Sequence, residues 1–194
     1  MGTDLPSIGS TNRQTECNVL LFVGRIHPVK AIDRLITAFQ AVPHEGWQLR
    51  VVGPDQEGYQ KELEKITEDD IVFVGPIYGE ALKKEYASCK ALALVSHTEN
   101  FGATVVDAMA HSKPVITGTK TPWKIVADRG CGWWVDNDVE TLSKAIGEMI
   151  GKTDAERIEM GKRGRRLVEE KYTWEAVCKA MVDGYKDVLN HGIH

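Results

Sequence analysis

Short apolar runs rich in β-branched residues alternate along this chain with longer stretches whose apolar positions recur at helical spacing. Strands are predicted at 18–23, 47–52, 71–74, 91–95, 114–117 and 131–135. Between them, Ile32, Leu35, Ile36 and Phe39 fall on one helical face, a charged and exposed helix is predicted over 56–67, and further helices over 80–88 and 103–111. Three helices, 139–150, 154–170 and 174–189, close the pattern. Repeated strand–helix units predict a parallel sheet with right-handed crossovers, and the unbroken apolar run 91–95 predicts that both sheet faces are covered. The fold class is therefore α/β, a doubly wound, Rossmann-like sheet. Such sheets bind ligands outside the carboxyl ends of their strands, so the loops after the first four strands are where function is sought.

Composition narrows the partners. The 194 residues hold 24 Lys and Arg against 28 Asp and Glu, a net charge of -4, which argues against a nucleic-acid partner. A hydrophobic fraction of 42% excludes disorder of the whole chain, and the longest apolar runs, 19–23 and 91–95, fall far short of the about 20 residues that cross a bilayer. The start, MGTDLPSIGS, has neither a basic opening nor an apolar core, so no secretory signal is read and a cytoplasmic location is expected. Residues 1–16 are expected to be a disordered or artificial leader and 17–190 a single domain. Cysteines at 17, 89, 131 and 178 have no metal-ligand spacing and are expected to be reduced and mostly buried, with no metal site.

Two loops could carry chemistry. After the first strand, Gly24-Arg25-Ile26-His27-Pro28-Val29-Lys30 opens directly into a helix, where free backbone N–H groups beside a guanidinium and an ammonium would suit a diphosphate. On these two cations alone, solvated surface charge is the simpler reading. The loop is neither the glycine fingerprint of nicotinamide enzymes nor a Gly-Lys-Ser/Thr phosphate loop. After the fourth strand, Ser96-His97-Thr98-Glu99-Asn100-Phe101-Gly102-Ala103-Thr104 leads to a helix carrying Asp107. Gly102 would allow close backbone approach, the amides of Ala103 and Thr104 would face an anion, and the two carboxylates could accept hydrogen bonds from vicinal sugar hydroxyls. Glu99 as part of a helix start and Asp107 as a dipole partner is the alternative. The remaining conspicuous residues read as structural: Trp133 and Trp134 as packing, and Lys162, Arg163, Arg165 and Arg166 as a solvated helix face.

In this order the loops resemble the C-terminal half of retaining, metal-independent GT-B enzymes, the glycosyltransferase group 1 family, over about 19–189. The resemblance rests on the Glu, seven residues, acid block from Glu99 to Asp107 followed by Lys113-Pro114-Val115-Ile116, on Val23-Gly24-Arg25 to Lys30, and on the ending Tyr172-Thr173-Trp174. It implies that Arg25 and Lys30 hold a donor diphosphate and that Glu99 meets the donor sugar, these three being the catalytic set. It also implies donor contacts from Gly24, Phe101 and the amides around Gly102, Ala103 and Thr104, a ribose contact from Asp107, and a base lying along Gly75-Pro76-Ile77. Two departures stand out: the second acid is Asp107 rather than Glu, and Ala31 follows Lys30 where Gly is common.

The resemblance further implies no cofactor beyond a nucleoside diphosphate sugar, hexosyl transfer to a glycan or lipid-linked acceptor, and a place in bacterial surface polysaccharide synthesis. It puts acceptor recognition in an N-terminal domain that this chain is expected to lack, so the chain alone is expected to be inactive. Any peripheral membrane association would run through that domain. Tyr172, Trp174 and Tyr185 are expected to contact it. The competing reading is a non-catalytic nucleotide-binding or interaction module.

Overall fold

The computed structural model describes residues 2–6 and 18–191; Cys17, the first residue of the expected domain, and the other residues of the expected leader lie outside the described residues. Six strands form one sheet: β1 (Asn18–Val23), β2 (Trp47–Val52), β3 (Ile71–Gly75), β4 (Ala91–Leu94), β5 (Val115–Gly118) and β6 (Gly132–Val135). Their order is β3-β2-β1-β4-β5-β6 and every pairing is parallel. The chain thus winds outward from β1 in one direction and then from β4 in the other. The switch point falls between β1 and β4, which places the loops after these two strands side by side.

Eight α-helices connect or flank the described strands: α1 (Ile32–Gln40), α2 (Gln60–Leu63), α3 (Gly79–Ser88), α4 (Ala103–Ala110), α5 (Ile125–Asp128), α6 (Val139–Gly151), α7 (Asp154–Lys171) and α8 (Trp174–His191). Alternation along β1 divides the core. Leu20 and Phe22 join Ile32, Leu35, Ile36 and Phe39 of α1 and Leu142, Ile146 and Met149 of α6 on one face. Val19, Leu21 and Val23 join Val105, Val106 and Met109 of α4 and Leu167 and Val168 of α7 on the other. Each such side chain contributes about 1.5–3 kcal/mol by leaving water, so both faces hold β1 and β4 in place beneath their loops.

Several elements differ from the sequence expectation. The helix expected over 56–67 shrinks to α2 and a 3-10 turn over Glu64–Ile66, because the Asp55 carboxylate takes the backbone N–H groups of Tyr59 and Gln60 and delays the helix start. The helix after β1 does not follow its loop directly. A 3-10 turn over Pro28–Lys30 intervenes, and Ala31 then adopts left-handed backbone with φ 51 before α1 begins. That conformation suits glycine, which explains why Ala31 stands out; a non-glycine residue there costs about 1 kcal/mol. The four-residue α5 has no counterpart among the expected helices.

Two of the structural readings hold with refinements. Trp133 and Trp134 pack on the two core clusters, one on each face, and their indole N–H groups donate to Glu148 and to the Thr121 carbonyl. Cys89 and Cys131 are buried, and burial pushes their thiols up to about 12 and about 11, whereas Cys178 is exposed. Part of the expected leader is in contact with the domain: the Thr3 N–H donates to the Tyr172 carbonyl at 2.7 Å, and Arg165 donates to the Pro6 carbonyl. Among the described residues no helix is long and apolar enough to cross a membrane.

Candidate functional site

The loop after β1 is tied down by its neighbours. Gly24 and Ile26 donate their N–H groups to the carbonyls of Val52, at the end of β2, and Pro54, just beyond it, and Gly53 donates to Gly75 at the end of β3. A Cβ on Gly53, at φ +147, would stand 1.8 Å from the Gly24 carbonyl oxygen, so the two loops close up only because glycine is there. His27 caps the 3-10 turn: its Nδ1 accepts the Val29 N–H at 3.1 Å, and Nε2 faces Glu57 at 3.3 Å. The amides of Val29, Lys30 and Ala31 are therefore already used, by His27 Nδ1, the His27 carbonyl and the Pro28 carbonyl. At the start of α1 itself, which no side chain caps, the first helical bond runs from the Leu35 N–H to the Ala31 carbonyl, and the amides of Ile32, Asp33 and Arg34 have no acceptor among the described residues. Beside them stand the side-chain cations of the loop, Arg25 and Lys30.

Those two cations are placed differently. The Lys30 ammonium lies 2.6 Å from the Glu99 carboxylate, with both side chains largely buried, 15% and 16% exposed. The fold thus joins two residues 69 positions apart, one from each loop at the switch point. Arg25 is exposed and has no hydrogen bond or ion pair among the described residues. The loops are further joined by the His97 N–H, which donates to the Val29 carbonyl at 2.8 Å.

Gly102 turns the second loop into α4 with φ 76, a left-handed conformation. A Cβ there would meet Leu94 Cδ2 at 2.6 Å and Glu99 Cγ at 3.3 Å, so its absence lets the Glu99 stem lie against the helix start. No side chain caps α4, and the amides of Ala103 and Thr104 in its first turn have no acceptor among the described residues, while Val105 donates to Gly102. The positive end of a helix with free donors therefore opens beside the Lys30–Glu99 pair. Phe101 turns its ring toward Trp123 and Tyr172, so what it supports is the loop itself.

Asp107, one turn along α4 from Thr104, has no ion pair among the described residues. Burial pushes its carboxyl above the usual carboxylate range, and a hydrogen bond with Thr3 opposes the shift. Its charge is also felt by the Tyr86 phenol, which burial pushes up first. No hydrogen bond joins Asp107 to Glu99 or Lys30. At the far side, Gly75 has φ 79, Pro76 is exposed and Ile77 packs on the core. Among the described residues, no group of three or more His, Cys, Asp or Glu side chains lies together as a metal-ligand set.

Sequence reasoning missed three residues here. Asn137, after β6, donates to the Val95 carbonyl and approaches His97 Nδ1 at 3.1 Å, while Arg34 donates to Asn137. Trp123 donates its indole N–H to the Phe101 carbonyl at 2.5 Å. Tyr78 stands 73% exposed next to Gly75-Pro76-Ile77. Asn137 and Trp123 carried no local signal, because each finds its partner tens of residues away; Tyr78 could have been found as an aromatic flanked by turn residues.

Comparison with known proteins agrees with this architecture. The family description "Glycosyl transferases group 1" matches residues 7–167. The chain belongs to that family. It is 29% identical over 190 residues to a D-inositol 3-phosphate glycosyltransferase of Salinispora tropica, covering 88% of this chain and 38% of that protein. It is 31% identical over 169 residues to a GDP-mannose-dependent alpha-mannosyltransferase of Mycolicibacterium smegmatis, covering 87% and 43%. A solved structure of Anabaena Alr3699/HepE in complex with UDP and glucose superimposes with a TM-score of 0.76 at 21% identity, covering 88% of this chain and 48% of that one. The chain therefore spans about two fifths of the curated relatives, and its fold is one half of a GT-B glycosyltransferase.

Proposed function

We propose that this chain is the donor-binding half of a retaining glycosyltransferase that moves a hexosyl unit from a nucleoside diphosphate sugar to a glycan or lipid-linked acceptor in bacterial surface polysaccharide synthesis. One observation carries the reading: across the β1/β4 switch point a buried ammonium and carboxylate meet at 2.6 Å beside an uncapped helix start. Arg25, Lys30 and the amides of Ala103 and Thr104 would take the diphosphate and stabilise the charge it gains as the sugar leaves, with no metal needed for that task. Glu99 would accept hydrogen bonds from the sugar hydroxyls, Asp107 from the ribose, and the base would lie along Gly75, Pro76 and Ile77 near Tyr78.

The GDP-mannose of the Mycolicibacterium relative and the UDP and glucose of the Anabaena structure name the ligands to try first. The acceptor would be held by an N-terminal domain of a longer protein, through which any peripheral contact with the cytoplasmic membrane face would run. Trp174, Tyr185 and Leu189, 54%, 65% and 84% exposed on α8, offer that domain an apolar face. Tyr172, expected to join them, is instead engaged with Phe101 and Trp123. The chain alone would then transfer no sugar.

Calorimetric titration with UDP, GDP and ADP and their sugar conjugates, with and without EDTA, tests the proposal. One base should be preferred, its sugar conjugate should bind more tightly than the bare diphosphate, and EDTA should change neither. Glu99→Gln sharpens the result. Because Glu99 also holds Lys30, its loss frees the ammonium, so bare diphosphate affinity should hold or rise while the conjugate's advantage shrinks severalfold. A preference for the bare diphosphate over its conjugate in the unaltered chain would favour a nucleotide-binding module without catalysis. Binding of none of these ligands would end the reading.

A further inference from the structure

Three aromatic rings lie behind the loop that carries Glu99. Trp123 is 1% exposed and donates its indole N–H to the Phe101 carbonyl at 2.5 Å. Its ring centroid lies 5.6 Å from Phe101 and 5.3 Å from Tyr172, and Phe101 and Tyr172 stand 6.1 Å apart, edge to face. The indole nitrogen would come within 3.1 Å of a Cβ on Gly102, the residue whose backbone starts α4, and Glu99 Cγ approaches the same point to 3.3 Å. One side chain therefore fixes the position of Phe101 and Gly102, between which the backbone turns from the Glu99 loop into the helix.

The third ring connects this bracket to another part of the molecule. Tyr172 sits at the junction of α7 and α8, where its N–H donates to the Val168 carbonyl, and its own carbonyl accepts the Thr3 N–H. Thr3 also forms an isolated parallel bridge with Thr173, and Gly2 lies so close to Trp174 that a Cβ there would meet the indole at 2.7 Å. The segment 2–6 and the start of α8 thus converge on the backbone around Tyr172, whose ring packs against Trp123 and Phe101.

We infer that Trp123 is a positioning residue for the Glu99–Gly102 loop, and that Tyr172 couples the position of that loop to segment 2–6 and to the start of α8. The inference rests on the donor-binding reading above. The indole hydrogen bond holds the Phe101 carbonyl, which fixes the left-handed turn at Gly102. That turn sets where the Glu99 carboxylate stands relative to Lys30 and to a donor sugar. A shift of the α7–α8 junction would move Tyr172 against this bracket and so be felt at Glu99.

Trp123→Phe keeps an aromatic ring and removes only the N–H donor and part of the ring area. Trp133→Phe is the control, since it also loses one indole hydrogen bond, to Glu148, but on the opposite core face. Two readouts follow: NMR hydrogen exchange of the Val105 amide, which donates to Gly102, and the affinity ratio of UDP-glucose to UDP and of GDP-mannose to GDP. Losing the bond should speed Val105 exchange and lower the conjugate's advantage, each about fivefold or more, while Trp133→Phe does neither.

Tyr172→Leu should act in the same direction and more weakly, and it carries the test if Trp123→Phe does not fold. A lower melting temperature with both readouts unchanged would overturn the inference. If the unaltered chain binds neither ligand pair, the donor-binding reading fails, and Val105 exchange alone decides whether Trp123 positions the loop.

Discussion

The two ends of the sheet treat their charged groups in different ways. At the amino end, before β4 and β5, a small cleft is lined by Cys89, Lys90, Lys113, Asp154 and Arg157. Its cations are bound within the protein: Lys113 donates to the Ala87 carbonyl, and Lys90 pairs with Asp154. Arg157 donates to the carbonyls of Met149, Ile150 and Lys152 and to Asp154, stacks over Trp47, and leaves only Nε without a partner. At the carboxyl end, Arg25 has no partner among the described residues, the first amides of α4 have no acceptor, and Asp107 has no cation. Lys30 and Glu99 satisfy each other, across two loops. Polar groups that the chain satisfies itself stabilise the fold, and those it leaves open are available to a ligand.

Substitutions at the two ends should therefore move different observables. The largest effect is expected from Arg157→Ala. The change strips three carbonyls of α6 and its C-terminal turn of their donor and removes the cover over Trp47, so stability should fall by roughly 3 kcal/mol, or roughly 6–12 °C in melting temperature. Nucleotide affinity, measured well below the transition, should not change. A weakened ligand at unchanged melting temperature would show that the amino end also serves function.

Arg25→Ala should do the reverse. The guanidinium has no internal partner to lose, so the melting temperature should stay within about 0.5 kcal/mol of the unaltered chain. If it grips the diphosphate, bare nucleotide and sugar conjugate should each weaken about tenfold to a hundredfold, the equivalent of a charge-assisted hydrogen bond of roughly 1.5–3 kcal/mol. Equal stability with equal affinity would return Arg25 to the class of solvated surface charge.

The same contrast marks what could be read from the sequence. All six strands were legible because each carries β-branched or other apolar positions between turn residues, whereas the strand order, and with it the switch point, was not, since alternation with helices leaves the order of parallel strands open. Arg25, Lys30 and Glu99 were legible as residue types in loops after the first and fourth strands. Their geometry was not. That Lys30 pairs with Glu99, that Ala31 takes left-handed backbone and that the amides of Val29, Lys30 and Ala31 are spent are products of packing between segments far apart in the chain. Trp123 was hidden for a related reason: its partner is a backbone carbonyl, and carbonyls leave no mark in a sequence. The delayed start that Asp55 gives α2, and the single turn of α5, lie below the length at which periodicity can be counted.

The smallest effect should come from Asp107, which lies between the two regimes. Its carboxyl is half-buried and pushed above its ordinary value of 3.8 by burial, with the hydrogen bond to Thr3 acting against the shift. A carboxyl whose folded value is raised binds its proton more readily in the native state than in the unfolded chain. Stability from this group therefore falls as pH rises from 3.8 through the raised folded value, and the penalty stands in full above it. Asp107→Asn removes the charge and keeps the shape, so at pH 7 the melting temperature should rise by a few degrees at most. That gain should shrink and vanish as the pH is taken below 3.8, where both side chains are neutral. The penalty is tolerable if ribose hydroxyls satisfy the carboxylate in the bound state, in which case Asp107→Asn should weaken bare nucleotide and sugar conjugate equally and severalfold. A lower melting temperature at pH 7 would place Asp107 with Arg157, as a group the fold needs for itself.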